Sequence, residues 1–327
     1  MGSFLLDKGR GKSRPTFFKL APCGGAESVA AEARLLQHKL SHIKVFPPVL
    51  SGNRSLLVTQ KVGDGDGPPI SLAHYLGHDP KKVVAALPGV VEEVARQVAK
   101  LGDHSPDQWP VSGLLWPNHD LARLESQWQR WRGPEQVQAL GKTFDAIETF
   151  KKLAKCSVLL RVGIQTALHG DLNPTNVALD VGNGAAHGYI FDASGMARGL
   201  SLRDLAMLEV TSLLHLPAGI IADIIDPCAA LYGNGEVLVE EAFPAALAGR
   251  PLTTWALIAE IRRLAMKCPD ATKRAYAVTV FDLAMIQLGG LAFAVSRNKT
   301  RDPEQAAELA ARVSHWISLV CPEFVSA

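Results

Sequence analysis

The pattern of hydrophobic and polar residues divides the chain into a strand-rich beginning and a helical remainder. Three short apolar runs near the N-terminus are separated by polar turns, which is typical of strands. These runs cover residues 4–6, 16–20 and 56–59. Between the second and third runs, alanines and leucines at helical spacing predict a helix over about residues 27–40. The Pro47–Pro48 pair should then break the chain before the third strand.

After residue 71 the apolar residues repeat with the period of a helix. Residues 82–101 present one continuous apolar face, which predicts an amphipathic helix. The residues on this face are Val83, Leu87, Val90, Val91, Val94 and Val98. Further helices are expected over residues 144–160, 202–216, 220–231, 252–266, 275–295 and 303–320.

One stretch interrupts the helical part and carries the candidate chemistry. Residues 177–179 and 189–191 are apolar runs that a glycine-rich segment separates, so we expect a β-hairpin with a loose turn. The glycines of this segment are Gly182, Gly184 and Gly188. The hairpin would return Asp192 to the side of Asp171 and Asn176. Two carboxylates and one carboxamide would therefore meet at one point.

These residue types suit phosphoryl transfer. A carboxylate can orient an acceptor hydroxyl and take its proton, while an amide oxygen and a second carboxylate can hold Mg²⁺ beside the nucleotide phosphates. An isolated His-Gly-Asp occurs often by chance. The combination with Asn176, a hairpin and a strand-end aspartate is far more specific than an ordinary hairpin with polar ends.

The order H-G-D-L-N-P-T-N followed by Y-I-F-D resembles the catalytic and metal-binding loops of the protein-kinase-like superfamily. It is most similar to the aminoglycoside phosphotransferase and choline kinase branch, which has H-G-D in place of H-R-D. The resemblance implies ATP and Mg²⁺ as cofactors. It also implies that Asp171 is the catalytic base or the group that positions the acceptor, that Asn176 and Asp192 are metal ligands, and that His169 supports the loop.

The resemblance also implies an α+β, two-lobe, protein-kinase-like fold. Residues 1–62 would form a small β-rich nucleotide-binding lobe, and residues 63–327 a large, mainly helical lobe with the catalytic loop. Lys19 would contact the phosphates and Glu32 would be its partner on the helix, with Glu27 as the competing partner. Taken alone, a lysine in a strand is most often a solvent-facing edge residue.

Two further features of the small lobe follow from the resemblance. The segment after the third strand looks like the hinge between lobes, where backbone groups of Gln60 and Val62 would bind the adenine edge. A plain flexible linker fits its Gly and Pro content equally well. The glycine-rich loop and the strand that should precede Phe4 are expected to be missing, and Phe17 replaces the usual small residue near the adenine.

The segment after Asp192 argues against a protein kinase. It is short and contains no A-P-E sequence, so a long segment that docks a protein substrate has no room. Gly170 removes the arginine that reads a phosphorylated activation loop. Asp204 resembles the acid that braces the catalytic loop in the phosphotransferase branch, and it could also form a capping pair with Ser201.

Composition limits the partners and the compartment. The formal net charge of the 327 residues is only +2, which gives no general attraction to nucleic acid or membranes. Five scattered cysteines without metal-ligand spacing favour reduced thiols in a cytoplasm. No signal peptide is evident. Residues 276–295 form an apolar run that we interpret as a buried helix rather than a membrane span, because Asp282 interrupts it.

Two functions follow from this pattern. The first is an ATP-dependent phosphotransferase that acts on a hydroxyl of a small molecule. The alternative is a non-catalytic kinase-like module that binds a nucleotide or a protein, which the expected loss of the glycine-rich loop would favour. The tryptophan-bearing insertion at residues 102–133 could bind a protein partner or line an acceptor pocket, although packing under a long loop explains such residues more often.

Overall fold

A computed structural model describes part of the chain. The described residues are 2–6, 16–22, 33, 45–51, 54–60, 70–101, 109–110, 136–139, 142–145, 149, 152, 159–160, 165–182, 185–192, 197–200, 202–216, 247–268, 275–280, 283, 309 and 313. The chain divides into two compact units. The first unit comprises Met1–His104 and Thr166–Asp204, and the second comprises Ser105–Gln165 and Leu205–Ala327.

The first unit begins with a four-stranded antiparallel sheet in the order β1-β2-β4-β3. Its strands are β1 (Gly2–Leu6), β2 (Thr16–Pro22), β3 (Val45–Ser51) and β4 (Arg54–Gln60). The three strands expected from the apolar runs are therefore confirmed. The predicted helix over residues 27–40 lies outside the described residues except for Ala33, which is helical and buried.

The expectation that Pro47 and Pro48 break the chain is wrong, because both residues lie inside strand β3. The pairing of β3 with β4 shifts register between Phe46 and Val49. Strand β3 is at the edge of the sheet, and proline, which has no N–H to donate, is tolerated at edges and bulges. The bulge therefore accommodates both prolines without ending the strand.

A second sheet in the first unit has the strand order β12-β11-β5. Its strands are β5 (Ile70–Ser71), β11 (Val177–Gly182) and β12 (Ala185–Ile190). The predicted hairpin is confirmed, with Val177 opposite Ile190. Two details differ: Gly182 is the last residue of β11, and Gly188 lies within β12 rather than in the turn. A Cβ at this position would come within 3.1 Å of the Val90 carbonyl oxygen, so close packing rather than turn geometry explains this glycine.

Two helices follow strand β5, namely α1 (Leu72–Tyr75) and α2 (Pro80–Ala99). Helix α2 begins two residues earlier than predicted because Asp79 caps it by accepting a hydrogen bond from the Lys81 amide, and Pro80 suits the first helical position. All six apolar residues of the predicted face are buried. The apolar face of α2 packs against β12.

The second unit contains two small strand pairs. They are β6 (Trp109–Pro110) with β9 (Leu159–Leu160), and β7 (Gln136–Ala139) with β8 (Lys142–Asp145). The helix predicted over residues 144–160 is therefore wrong at both ends, although residues 149 and 152 are helical. Phe144 pairs with Val137 across a hairpin, and such cross-strand pairing overrides local helical periodicity.

The segment from His169 to Asp192 is flanked by a third strand pair, β10 (Gln165–Leu168) with β13 (Ala197–Leu200). Two further helices follow, α3 (Arg203–Leu214) and α4 (Gly249–Ala265), and both are close to their predicted bounds. Every residue of α3 from 204 to 213 is buried, which is typical of a helix in the core. No helix in the described part of the chain has the length and apolar character that a membrane crossing requires.

Candidate active site

The H-G-D segment forms a loop between strands β10 and β11. Gly170 has a φ of 81°, a left-handed conformation that glycine adopts without the steric cost of a Cβ. After Asp171 and Leu172, a short 3-10 helix (Pro174–Asn176) leads directly into β11. The loop therefore leaves the side chain of Asp171 exposed and buries that of Asn176.

Asn173 organises this loop, and sequence reasoning missed it. Its Oδ1 accepts hydrogen bonds from the Thr175 amide at 2.9 Å and from the Thr175 hydroxyl. Its Nδ2 donates to the Asp171 carboxylate oxygen Oδ1 at 3.2 Å and to the Asp171 carbonyl at 3.3 Å. The Asn-Pro sequence was the available signal, because asparagine caps helices that begin with proline.

Asn176 is the second contact of Asp171. Its Nδ2 donates to the Asp171 carbonyl oxygen at 2.8 Å and to Oδ2 of the Asp171 carboxylate at 3.3 Å. The amide nitrogen is thereby committed to Asp171. Among the described residues, none donates a hydrogen bond to Asn176 Oδ1, so this oxygen has lone pairs available for a cation.

The backbone brings Asp192 next to this pair. The Phe191 amide donates to the Asn176 carbonyl oxygen at 3.1 Å. Nε2 of His169 is 2.8 Å from the Phe191 carbonyl oxygen, which can only accept, so this ring nitrogen is the donor. Asp192 follows Phe191 directly and has a φ of 60°, a left-handed conformation that aspartate tolerates better than most residues.

Asp204 braces the start of the loop, as the resemblance implied. Its Oδ2 accepts from the His169 amide at 2.7 Å and its Oδ1 from the Gly170 amide at 3.0 Å. Burial raises the pKa of the Asp204 carboxyl, while the His169 ring, the two amides and Arg203 act in the opposite direction. The ring of His169 is fully buried, which agrees with a supporting role.

The predicted nucleotide-site residues are only partly within the described chain. Lys19 lies in β2, opposite Ser3 on one side and Leu57 on the other, so it is in an interior strand and not at the edge. Gln60 is the last residue of β4 and pairs with Thr16. Glu32, its competitor Glu27, and Val62 lie outside the described residues. Most of the 102–133 insertion does too, apart from strand β6.

The metal-binding prediction concerns two aspartates and one asparagine. Within the described ranges, no group of three or more His, Cys, Asp or Glu side chains could hold a metal ion. Amide oxygens such as Oδ1 of Asn176 are also good ligands for hard cations such as Mg²⁺. The donor types of Asp192 and Asn176 therefore fit Mg²⁺ rather than a softer metal.

Comparison with known proteins places these features in a family. The sequence model of the phosphotransferase enzyme family matches residues 3–210, which include the catalytic loop, the hairpin and Asp204. No curated protein matches the chain in sequence.

Several solved kinase structures are similar to the chain at low sequence identity. An amicoumacin kinase in complex with AMP-PNP, Ca²⁺ and Ami is 14% identical, with 97% of this chain and 88% of that chain covered and a TM-score of 0.44. A glucosamine kinase is 11% identical, with 94% and 74% covered and a TM-score of 0.45. An ethanolamine kinase from Plasmodium vivax is 11% identical, with 99% and 83% covered and a TM-score of 0.44.

Proposed function

Because this chain belongs to the phosphotransferase enzyme family, we propose that it transfers the γ-phosphoryl group of ATP to a hydroxyl of a small molecule. The chain is a kinase-like phosphotransferase that acts on small-molecule hydroxyl groups, and it has the α+β, protein-kinase-like fold class that the sequence predicts. ATP as the donor and the identity of the acceptor belong to the proposal.

The observation that carries the proposal is the position of Asp171. Its carboxylate is exposed, yet Asn173 and Asn176 each donate a hydrogen bond to one of its two oxygens. A carboxylate that is oriented and still accessible can accept a proton from an acceptor hydroxyl. Asp171 is therefore the proposed catalytic base, which also orients the hydroxyl for attack on the phosphorus.

Asn176 and Asp192 are the proposed Mg²⁺ ligands. Asn176 directs its amide nitrogen to Asp171 and keeps Oδ1 for the cation, while the backbone bond between Phe191 and Asn176 holds Asp192 nearby. When bound, Mg²⁺ would neutralise charge on the nucleotide phosphates. His169 is the proposed support of this arrangement, because it donates to the carbonyl that precedes Asp192.

The roles of the predicted nucleotide-binding residues and of the two lobes are further parts of this proposal. Lys19 would bind the phosphates with Glu32 as its partner, and backbone groups of Gln60 and Val62 would bind adenine. Residues 1–62 and 63–327 would be the two lobes. A protein partner on the 102–133 insertion also remains a proposal.

The free thiol of Cys268 agrees with a reducing compartment, and we propose that the protein works in the cytoplasm.

The first test is turnover by the purified chain. Mg-ATP is supplied with a panel of amino sugars, aminoglycosides, amino alcohols and sugars, and phosphorylated products are detected by mass spectrometry. Phosphate transfer to at least one acceptor is expected. Asp171→Asn should lower kcat by about 10²–10⁴-fold, because the amide cannot accept the proton.

Asp180→Asn is the matched control, since Asp180 is a carboxylate on strand β11 outside the proposed machinery. It should keep wild-type turnover. An Asp171→Asn variant with full activity would eliminate Asp171 as the base. ATP binding by the wild-type chain, seen as a thermal shift, without turnover on any acceptor would instead favour a non-catalytic module.

A further inference from the structure

Strand β12 has an outer edge that no other strand of the described residues covers, because the order of its sheet is β12-β11-β5. The side chain of Gln97 on helix α2 satisfies this edge. Its Nε2 donates to the Gly188 carbonyl oxygen at 2.7 Å, and its Oε1 accepts from the Ile190 amide at 3.0 Å. One carboxamide thus replaces the two hydrogen bonds that a neighbouring strand would make.

The orientation of this carboxamide is fixed from the other side. Nε2 of Gln97 also donates to the Glu93 carboxylate at 3.0 Å, and Glu93 in turn pairs with Arg96. A carboxylate can only accept, so the nitrogen must face Glu93 and Gly188, and the oxygen must face Ile190. Gln97 is 1% exposed, so loss of these hydrogen bonds would leave buried polar groups away from bulk water.

Gly188 lets helix and strand approach closely enough for this contact. A Cβ there would lie 3.1 Å from both the Val90 carbonyl oxygen and Cγ2 of Val94. The helix therefore lies directly against the backbone of β12. Any movement of β12 along or away from α2 would break the Gln97 bonds or collide with these valines.

The strand that Gln97 holds ends two residues before the proposed metal ligand. Ile190 is bound by Gln97, and Phe191 is bound by Asn176 and His169. Asp192 follows with its left-handed backbone. The two residues before Asp192 are therefore both held by hydrogen bonds to their backbone.

We propose that Gln97 is a positioning residue for Asp192, and that its bidentate contact with β12 sets the affinity of the site for its divalent cation. The inference rests on the proposed function, because Asp192 is a ligand only in that scheme. Gln97 touches neither cation nor substrate. It acts through the backbone of residues 188–191, as outer partners of metal ligands do.

The test uses Gln97→Met, which keeps the length of the side chain and removes its hydrogen bonds to Gly188, Ile190 and Glu93. Mn²⁺ binding to the full chain with ATP present is measured by electron paramagnetic resonance. The Kd for Mn²⁺ should rise by about 10-fold or more, the lower end of the effect of removing outer partners of metal ligands. The amide of Ile190 should also exchange hydrogen faster, since it loses its acceptor.

Val83→Ala is the matched control. Val83 is fully buried near the start of the same helix, so its truncation destabilises packing without removing the Gln97 contact. It should leave the Mn²⁺ affinity unchanged. If Gln97→Met does not fold, Gln97→Asn replaces it, because the shorter carboxamide stays neutral and cannot reach both backbone groups of β12. Its effect should be in the same direction.

The two hypotheses fail in different ways. A wild-type chain that turns over but whose Mn²⁺ affinity is unchanged in Gln97→Met overturns the role of Gln97 alone. Equal changes in Gln97→Met and Val83→Ala also overturn it, since general destabilisation would then explain both. A wild-type chain that binds no Mn²⁺ in the presence of ATP overturns both this inference and the proposed metal site.

Discussion

Helix α3 carries two buried carboxylates whose partners differ in kind. Asp204, in its first turn, accepts hydrogen bonds from the backbone amides of His169 and Gly170. Glu209 accepts instead from the Arg262 guanidinium, whose Nε lies 3.0 and 3.1 Å from its two oxygens, and from the Tyr276 hydroxyl at 2.7 Å. The first carboxylate belongs to the first unit and the second to the other.

The two carboxylates therefore contribute differently: one to the geometry of the candidate site, the other to the stability of the fold. Asp204 bonds to neutral amides of a loop, so its contribution is to hold the residues next to Asp171 in place. Glu209 bonds to a cation and a hydroxyl from elsewhere in the second unit, so its contribution is to the packing of that unit. Burying an ion pair carries a desolvation penalty that the attraction between the two charges offsets. Removing one partner leaves the other charge buried without this compensation, which destabilises the fold.

Breaking the Glu209 cluster should have the largest effect on stability. Arg262→Met leaves the fully buried Glu209 carboxylate with the Tyr276 hydroxyl as its remaining described donor. The free energy of unfolding should fall by about 3–5 kcal/mol, measured by urea denaturation followed by circular dichroism. The kcat of the molecules that remain folded should not change, because the side-chain hydrogen bonds of Glu209 among the described residues are to Arg262 and Tyr276 and not to the residues around Asp171.

Arg263→Met is a matched control on the same helix. Its ion pair with Glu260 is partly exposed and connects residues three apart, so its loss should change the free energy of unfolding by less than about 1 kcal/mol. Equal effects of the two variants would contradict the distinction between buried and surface pairs. A large fall in kcat for Arg262→Met would contradict the separation of stability from site geometry.

The sequence was most informative where the determinants are local. The periodicity of α2 located its buried face residue by residue, and the apolar runs and glycines located the hairpin before Asp192. The resemblance of the segment around Asp204 to the phosphotransferase branch implied that Asp204 would brace the loop. In each of these cases the signal lies within a short segment, where period, capping and turn chemistry act directly.

The sequence was least informative where a residue is defined by a distant partner. Gln97 bonds to Gly188 and Glu209 bonds to Arg262, pairs separated by 91 and 53 positions. Nothing local distinguishes these polar side chains from solvent-facing ones on a helix. The same reason explains Pro47 and Pro48, whose place in a strand depends on an edge position and a bulge that only the assembled sheet defines.

Changing Asp204 should lower both activity and stability. Asp204→Asn keeps one acceptor oxygen but turns an NH₂ group toward one of the two loop amides, which leaves that amide unsatisfied. We expect kcat/KM to fall by about 10–100-fold as Asp171 moves from its position. The loss in unfolding free energy should be about 1–3 kcal/mol, below that of Arg262→Met.

The kcat/KM and the unfolding free energy of Asp204→Asn together show whether Asp204 serves the site or the fold. Wild-type kcat/KM in Asp204→Asn would show that the loop keeps its geometry without the carboxylate. A stability loss larger than that of Arg262→Met would assign Asp204 to the fold rather than to the site. Either result would remove the contrast between the two carboxylates.

The pH dependence of stability provides a finer comparison. Because burial raises the pKa of Asp204, the folded state binds a proton at this carboxyl more readily than the unfolded state does. Its contribution to stability is therefore complete below the unfolded-state pKa and is lost as pH rises through the folded-state pKa. Urea denaturation at a series of acidic pH values should show this decline in the wild type and a flatter profile in Asp204→Asn. A steeper decline in the variant would mean that another group is responsible.

The smallest expected effect is that of Tyr276→Phe, which removes one hydrogen bond from Glu209 and leaves the Arg262 pair intact. A hydrogen bond to a buried charge contributes about 1.5 kcal/mol, so the midpoint of urea unfolding should fall measurably but less than for Arg262→Met. Tyr75→Phe is the control, because Tyr75 is equally a buried tyrosine and its hydroxyl has no hydrogen bond among the described residues. It should leave the midpoint unchanged. If both phenylalanine variants behave alike, the hydroxyl of Tyr276 contributes nothing to the cluster, and Arg262 alone compensates the charge of Glu209.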